Sequence, residues 1–207
     1  MANDKYAGAD VVSAIPKRQL SEEEYLELER LAPHKSEFYR GDMFAMAGAS
    51  REHNTVKENL IGELYGRLKG LPCRTYSSDQ RLHVDPTGLY TYPDILIVCG
   101  EPQYDAKDRD TITNPTAIIE VLSPSTEKYD RGAKFRQYQQ LASLKEYILV
   151  SHDEPLCERF VRQDDGSWNL TSATGLTGSF TFQSLAVSIP MTDIFRDVEF
   201  SDPTRKN

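Results

Sequence analysis

Apolar residues recur along this chain with two periods, and each marks a different kind of element. Val56, Leu60, Leu64 and Leu68 repeat at a spacing of four. They predict one buried stripe on a helix capped by Ser50 and running to about Lys69, where Gly70-Leu71-Pro72 stops it. Ser21-Glu22-Glu23-Glu24 is a capping box that opens a shorter helix through about Leu31, with Tyr25, Leu28 and Leu31 on one face. Glu37-Phe38-Tyr39 and Met43–Met46 flank Arg40-Gly41-Asp42 and read as a hairpin. Strands are expected over residues 73–84, 89–99, 116–122, 146–151 and 156–162. Weaker, peripheral strands are expected over 168–171 and 179–182, and residues 100–115 read as a loop. Further helices are predicted over about 130–142 and 191–196. The order predicts a mixed β-sheet flanked by helices, of the α/β or α+β class.

Two charges interrupt this pattern. Asp94 follows a proline and leads the apolar run of YPDILIV, residues 92–98, and Glu120 stands inside TAIIEVL, residues 116–122. Carboxylates in buried strands are costly unless something neutralises them. A divalent metal is one candidate, and a salt bridge to a helix Arg or Lys is the other. Alternation puts Ile118, Glu120 and Leu122 on one face of their strand. If Asp85-Pro86-Thr87-Gly88 is the turn of a continuous hairpin, Val84 pairs with Leu89 and Asp79 falls opposite Asp94. Facing like charges repel, and a shared cation would turn that repulsion into a site. A single bulge would move them apart. Downstream, Lys128, Arg131, Lys134 and Arg136 crowd the start of a helix. Lys134 is expected at the core margin near the sheet. Asp130 and Lys134 form an acid-first i,i+4 pair, which on spacing alone reads as a surface pair.

Composition bounds the rest. The chain has 207 residues, enough for one domain over 17–198 with a loose arm at 1–16 and a polar tail at 199–207. Its three cysteines are far apart and form no CxxC pair, which points away from zinc or a disulfide framework and toward a reducing, cytoplasmic setting. No signal peptide is visible, and no stretch approaches the roughly 20 apolar residues of a membrane span. The net charge of −8 argues against a protein that coats nucleic acid by bulk electrostatics, though not against an enzyme with a local basic patch.

At these residues a resemblance emerges. Pro93-Asp94 followed by Glu120 in a strand resembles the PD-(D/E)xK nuclease superfamily, with its restriction-endonuclease-like fold. YPDILIV, IIEVLSPST, DRGAKFRQYQQL and SLKEYILV together are similar to the Uma2 endonuclease family, over about residues 20–195. The superfamily pattern has a lysine two residues after the acid, and here that residue is Leu122. Lys134 stands where a migrated lysine would be. The resemblance implies that Asp94, Glu120 and the Val121 carbonyl bind Mg²⁺ or Mn²⁺, with Asp79 completing the shell or binding a second ion. It implies that Lys134 orients water or stabilises the phosphorus transition state, and that the substrate is DNA. Glu37 is a further acid such a site could use, and His53 lies one turn before Val56 on its helix. Ser123 and Gln137 could reach substrate; each has an ordinary alternative as turn, cap or solvated position. Cleavage of both DNA strands would favour a homodimer. A second reading is a nuclease-fold module without catalysis that binds nucleic acid or a protein partner. Leu122 and the acidic charge leave room for it.

Overall fold

A computed structural model describes residues 18–200 of the chain. The expected arm at 1–16 and most of the expected tail lie outside these residues. Helix α1 (Glu22–Leu31) begins at the Ser21 capping box, where the Ser21 hydroxyl and the Glu24 carboxylate each accept the other's backbone N–H. Its buried face differs from the expected one: Tyr25, Leu26 and Glu29 point inward, while Leu28 and Leu31 are exposed. Tyr25 stacks on Phe38 and sets the rotation of the helix. Strands β1 (Ser36–Tyr39) and β2 (Asp42–Ala45) form the predicted hairpin, with Arg40 and Gly41 both at positive φ, as a two-residue turn of this hand requires.

Helix α2 (Arg51–Leu68) carries the four-residue stripe as read, with Val56, Leu60, Leu64 and Leu68 all buried. The stripe packs on one face of a six-stranded sheet ordered β11-β10-β9-β8-β6-β3. These strands are β3 (Cys73–Ser77), β6 (Ile95–Cys99), β8 (Ala117–Val121), β9 (Glu146–Val150), β10 (Leu156–Arg162) and β11 (Trp168–Thr174). Pairing is antiparallel except between β8 and β9, which run parallel. The strand expected at 168–171 runs on to Thr174 and forms the outer edge of the main sheet.

The long hairpin expected over 73–99 is broken in two. Its tip, β4 (Arg81–Val84) and β5 (Leu89–Thr91), leaves the six-stranded sheet and joins a second one ordered β2-β1-β5-β4-β7. Here β7 (Thr111–Ile112) is a short strand within the expected loop, and it runs parallel to β4. Val84 does pair with Leu89, but the base pairs Ser77 with Ile95, one residue out of step with the tip. The slip falls between the two halves, where Pro93 has no N–H to give the ladder. Asp79 consequently does not face Asp94.

The segment after β8 is helical from Glu127 rather than from 130, and it ends at Tyr138. Helix α3 (Glu127–Tyr129) passes through a π-helical turn (Asp130–Lys134) into α4 (Phe135–Tyr138). Phe135 and Tyr138 pack with Leu96, Ile118, Leu122, Tyr147 and Leu149 on the sheet face opposite α2. A third unit, β12 (Ser179–Phe182) with β13 (Val187–Pro190), and the short α5 (Met191–Ile194) cover the α2 side. Cys73 and Cys99 are direct cross-strand partners and are joined by a disulfide, contrary to the expectation from their spacing. Long-range register brings them together, which linear spacing does not reveal, so cysteine usage no longer argues for a reducing compartment. Among the described residues, no helix is long and apolar enough to cross a membrane.

Candidate active site

Asp94 sits just before β6, where the broken hairpin leaves the sheet. Its Oδ2 accepts the Val121 backbone N–H at 2.9 Å. In return, its own N–H donates to Glu120 Oε2 at 3.2 Å. The two acids are thus tied by reciprocal backbone bonds across β6 and β8. On the other side, Asp94 Oδ1 lies 3.0 Å from His53 Nε2, on the first turn of α2. Ser50 caps that turn by accepting the His53 backbone N–H, so the helix start and the ring are placed together. His53 Nδ1 is buried and has no hydrogen-bond partner among the described residues.

Glu120 points away from α2, toward the π-helical turn. Its Oε1 accepts from Tyr138 Oη at 2.8 Å and lies 3.0 Å from Lys134 Nζ. Lys134 is 5% exposed. The same Nζ lies 3.2 Å from Glu37 Oε1 on β1 and 3.6 Å from Asp130 Oδ1. Glu37 is held in turn by the Thr91 hydroxyl. Lys134 is therefore no surface pair with Asp130: both residues are buried, and the lysine gathers three carboxylates from three elements.

Burial pushes the Glu120 carboxyl up to about 8, with Lys134 pulling against that shift and Asp130 and Asp94 adding to it. Burial acts on Asp94 in the same direction, but the His53 ring, the Val121 N–H and Lys134 outweigh it and hold this carboxyl below the ordinary range. Asp130 is raised, again chiefly by burial. Burial opposes the charge on Lys134 too, yet Glu120, Tyr138, Glu37 and Asp130 hold its ammonium well above the usual lysine value. The lysine is a fixed cation and hydrogen-bond donor.

Asp94, Glu120, Val121, Asp130 and Lys134 line one cleft of about 1030 Å³, together with Glu37, His53 and Ser123. Of the other residues singled out in the sequence, Ser123 hydrogen-bonds Ser125 and Thr126 in the turn after β8. Asp79 lines the rim, with its side chain 87% exposed and paired to Lys35 at 2.9 Å. The register slip has carried it out of the Asp94 cluster. Gln137 is half-buried and does not line the cleft. Three tyrosines escaped the reading. Tyr138 reads as core by its period, and the core does hold its ring while the hydroxyl reaches Glu120. Tyr147 also reads as packing, but its hydroxyl donates to the Asp130 carbonyl at 3.1 Å. Tyr129 lies beside Lys134, its ring centroid 5.8 Å from Nζ. The spacing of Tyr138 four residues after Lys134 was the available signal. His152 was also missed as a lining residue, and its Nδ1 is 2.6 Å from the Leu122 carbonyl.

Residues 22–191 match the model of the Uma2 family, described as "Putative restriction endonuclease". Two relatives come from Synechocystis sp. (strain ATCC 27184 / PCC 6803 / Kazusa), and both are described as uncharacterized. The protein slr1290 is 35% identical over 185 residues, covering 89% of this chain and 96% of its own. The protein sll1609 is 32% identical over 168 residues, covering 81% and 95%. A crystal structure from Anabaena variabilis ATCC 29413, described as "a putative nuclease belonging to DUF820", shares the fold. Its TM-score is 0.66 at 15% identity, over 83% of this chain and 95% of that one.

Proposed function

The chain belongs to the Uma2 family, and from that premise we propose that it is a metal-dependent endonuclease hydrolysing DNA phosphodiester bonds, with Asp94, Glu120 and Lys134 as its catalytic residues. The observation that carries this reading is the position of Lys134. Its Nζ reaches Glu120 at 3.0 Å from a helix, although the position two after Glu120 holds Leu122.

The donor set suits Mg²⁺ or Mn²⁺. Asp94 Oδ1, Asp94 Oδ2 and Glu120 Oε2 each accept one of the hydrogen bonds described, which leaves each oxygen a further lone pair. Glu37, Asp94, Glu120 and Asp130 outnumber the lysine they surround, and the mutual repulsion that adds to the raised Glu120 and Asp130 carboxyls is what a cation would relieve. Among the described residues, no group of three or more His, Cys, Asp or Glu forms a full metal cage. Magnesium does not need one, since it is commonly held by one or two carboxylates with waters and phosphate oxygens. Asp94 and Glu120 would hold the ion, with the Val121 carbonyl as a further ligand. Bound there, it would supply Lewis acidity toward water and phosphate.

The chain's own residues do the positioning. His53 and the Val121 N–H fix the Asp94 carboxylate. Tyr138 and Lys134 fix Glu120. Lys134, held protonated by its neighbours, is a donor that steadies the attacking water or the charge building on phosphate, not a general base. Nicking of supercoiled plasmid tests the reading. The wild type should nick with Mg²⁺ or Mn²⁺ and stop in EDTA, and Asp94→Ala should be inactive. Equal nicking by both proteins would overturn the assignment.

A further inference from the structure

The cleft has a second feature beside the acids. From the end of β2 toward α2 runs Phe44-Ala45-Met46-Ala47-Gly48-Ala49, an apolar stretch whose every residue lines the same cleft as Asp94 and Lys134. Phe44 is 52% exposed, a large ring left open to solvent on an edge strand. Register fixes where that ring sits. Phe44 is the direct cross-strand partner of Glu37, and antiparallel partners project side by side on one face, with Cβ atoms about 5 Å apart. Glu37 is the residue whose Oε1 lies 3.2 Å from Lys134 Nζ. The exposed ring is thus one side chain away from the proposed catalytic lysine.

Charge decides what could lie against it. The cleft is lined by five carboxylates (Glu37, Asp79, Asp94, Glu120 and Asp130) against three lysines. Lys134 and Lys35 are already paired with acids, while Lys57 has no carboxylate within 4.0 Å among the described residues. Even a divalent ion would bring this surface only to formal neutrality, and the whole chain carries −8. Duplex DNA is gripped mainly through neutralised phosphates on both strands, and this cleft supplies little for that. Single strands offer another source of affinity, the exposed faces of their bases, which stack on aromatic side chains.

We infer that Phe44 is a stacking platform for an unpaired base next to the scissile phosphate, and that the substrate is single-stranded DNA or an unpaired DNA segment. This rests on the catalytic assignment above and adds the form of DNA taken. Lys57, on the α2 wall of the same cleft, is the lysine placed to meet a neighbouring phosphate of that strand.

The test separates the two layers of the claim. Binding of a labelled oligothymidylate, alone and paired with oligoadenylate, is followed by fluorescence anisotropy with Ca²⁺ in place of Mg²⁺. Wild type should bind the single strand more tightly. Phe44→Ala should weaken that binding roughly tenfold, and Phe44→Trp should restore it. Hydrolysis of methyl p-nitrophenyl phosphate, a diester without a nucleobase, should be lost in Asp94→Ala. Equal affinity for duplex and single strand, or an unaltered Phe44→Ala, would overturn the stacking site while leaving the catalytic reading intact. Loss of a dimer on Phe44→Ala in analytical ultracentrifugation would also overturn it, because a second copy would then be what covers the ring. If Asp94→Ala hydrolyses the baseless diester as well as wild type does, the catalytic reading fails independently.

Discussion

At the scale of residues, the cluster separates two carboxylates by environment. Asp94 meets the His53 ring and a backbone N–H and stays ionised, whereas Glu120 is buried among other acids and is pushed up to about 8. Two outcomes follow. His53→Ala removes one of the two hydrogen bonds that aim the Asp94 carboxylate. Loss of such an outer partner typically costs about 10- to 100-fold in metal affinity. Calorimetric titration with Mn²⁺ should show that loss, and His53→Gln, which keeps a donor, should recover much of it. The second outcome concerns pH. The folded-state value of Glu120, about 8, lies above the ordinary 4.5, so folded protein binds the extra proton between these limits. The stabilisation is therefore complete below about 4.5 and is lost as pH rises toward about 8. Urea unfolding in EDTA should show wild type losing stability relative to Glu120→Gln across that window. Parallel pH profiles for the two proteins would contradict the burial argument.

At the scale of elements, the α2 stripe, both caps and the N-terminal hairpin were legible because each is set by neighbours in sequence. Glu120 was likewise placed on the correct face by strand alternation. What was not legible depends on distant chain. The break in the hairpin arises because its tip pairs with β1 and its base with β8. A one-residue slip between those halves moved Asp79 from a predicted ligand to the rim. The burial of Lys134 was also hidden, since an i,i+4 pair looks the same on an exposed helix. The π-helical turn is the decisive local feature, because wider turns of this kind re-aim side chains and recur at functional sites. Deleting Gly132 should let the segment close as ordinary α-helix. Asp130 and Lys134 would then stand three residues apart, about 60° around an α-helix and still neighbours, while the segment before the deletion turns relative to Lys134 and loses the aim that the wider turn gives it. We expect cleavage to be lost while circular dichroism and the unfolding transition stay cooperative. Retained cleavage would mean that the π turn does not position the lysine.

At the scale of the whole molecule, three layers meet at one point. α2 supplies His53 from one face of the main sheet. The π turn supplies Lys134 from the other. The strand that crosses between the two sheets delivers Asp94, and the small sheet contributes Glu37 from β1. The net charge of −8, read from the sequence as evidence against a nucleic-acid coat, has a local counterpart in the cleft, where five carboxylates outnumber three lysines. The account depends most on a lysine that has moved from strand to helix. Its most direct test is single-turnover cleavage of DNA under saturating Mg²⁺ by wild type and Lys134→Ala, with folding checked by thermal melting. Loss of one preorganised charge-stabilising donor should slow the chemical step by about 10²- to 10³-fold. A folded Lys134→Ala protein that cleaves at the wild-type rate would contradict the account.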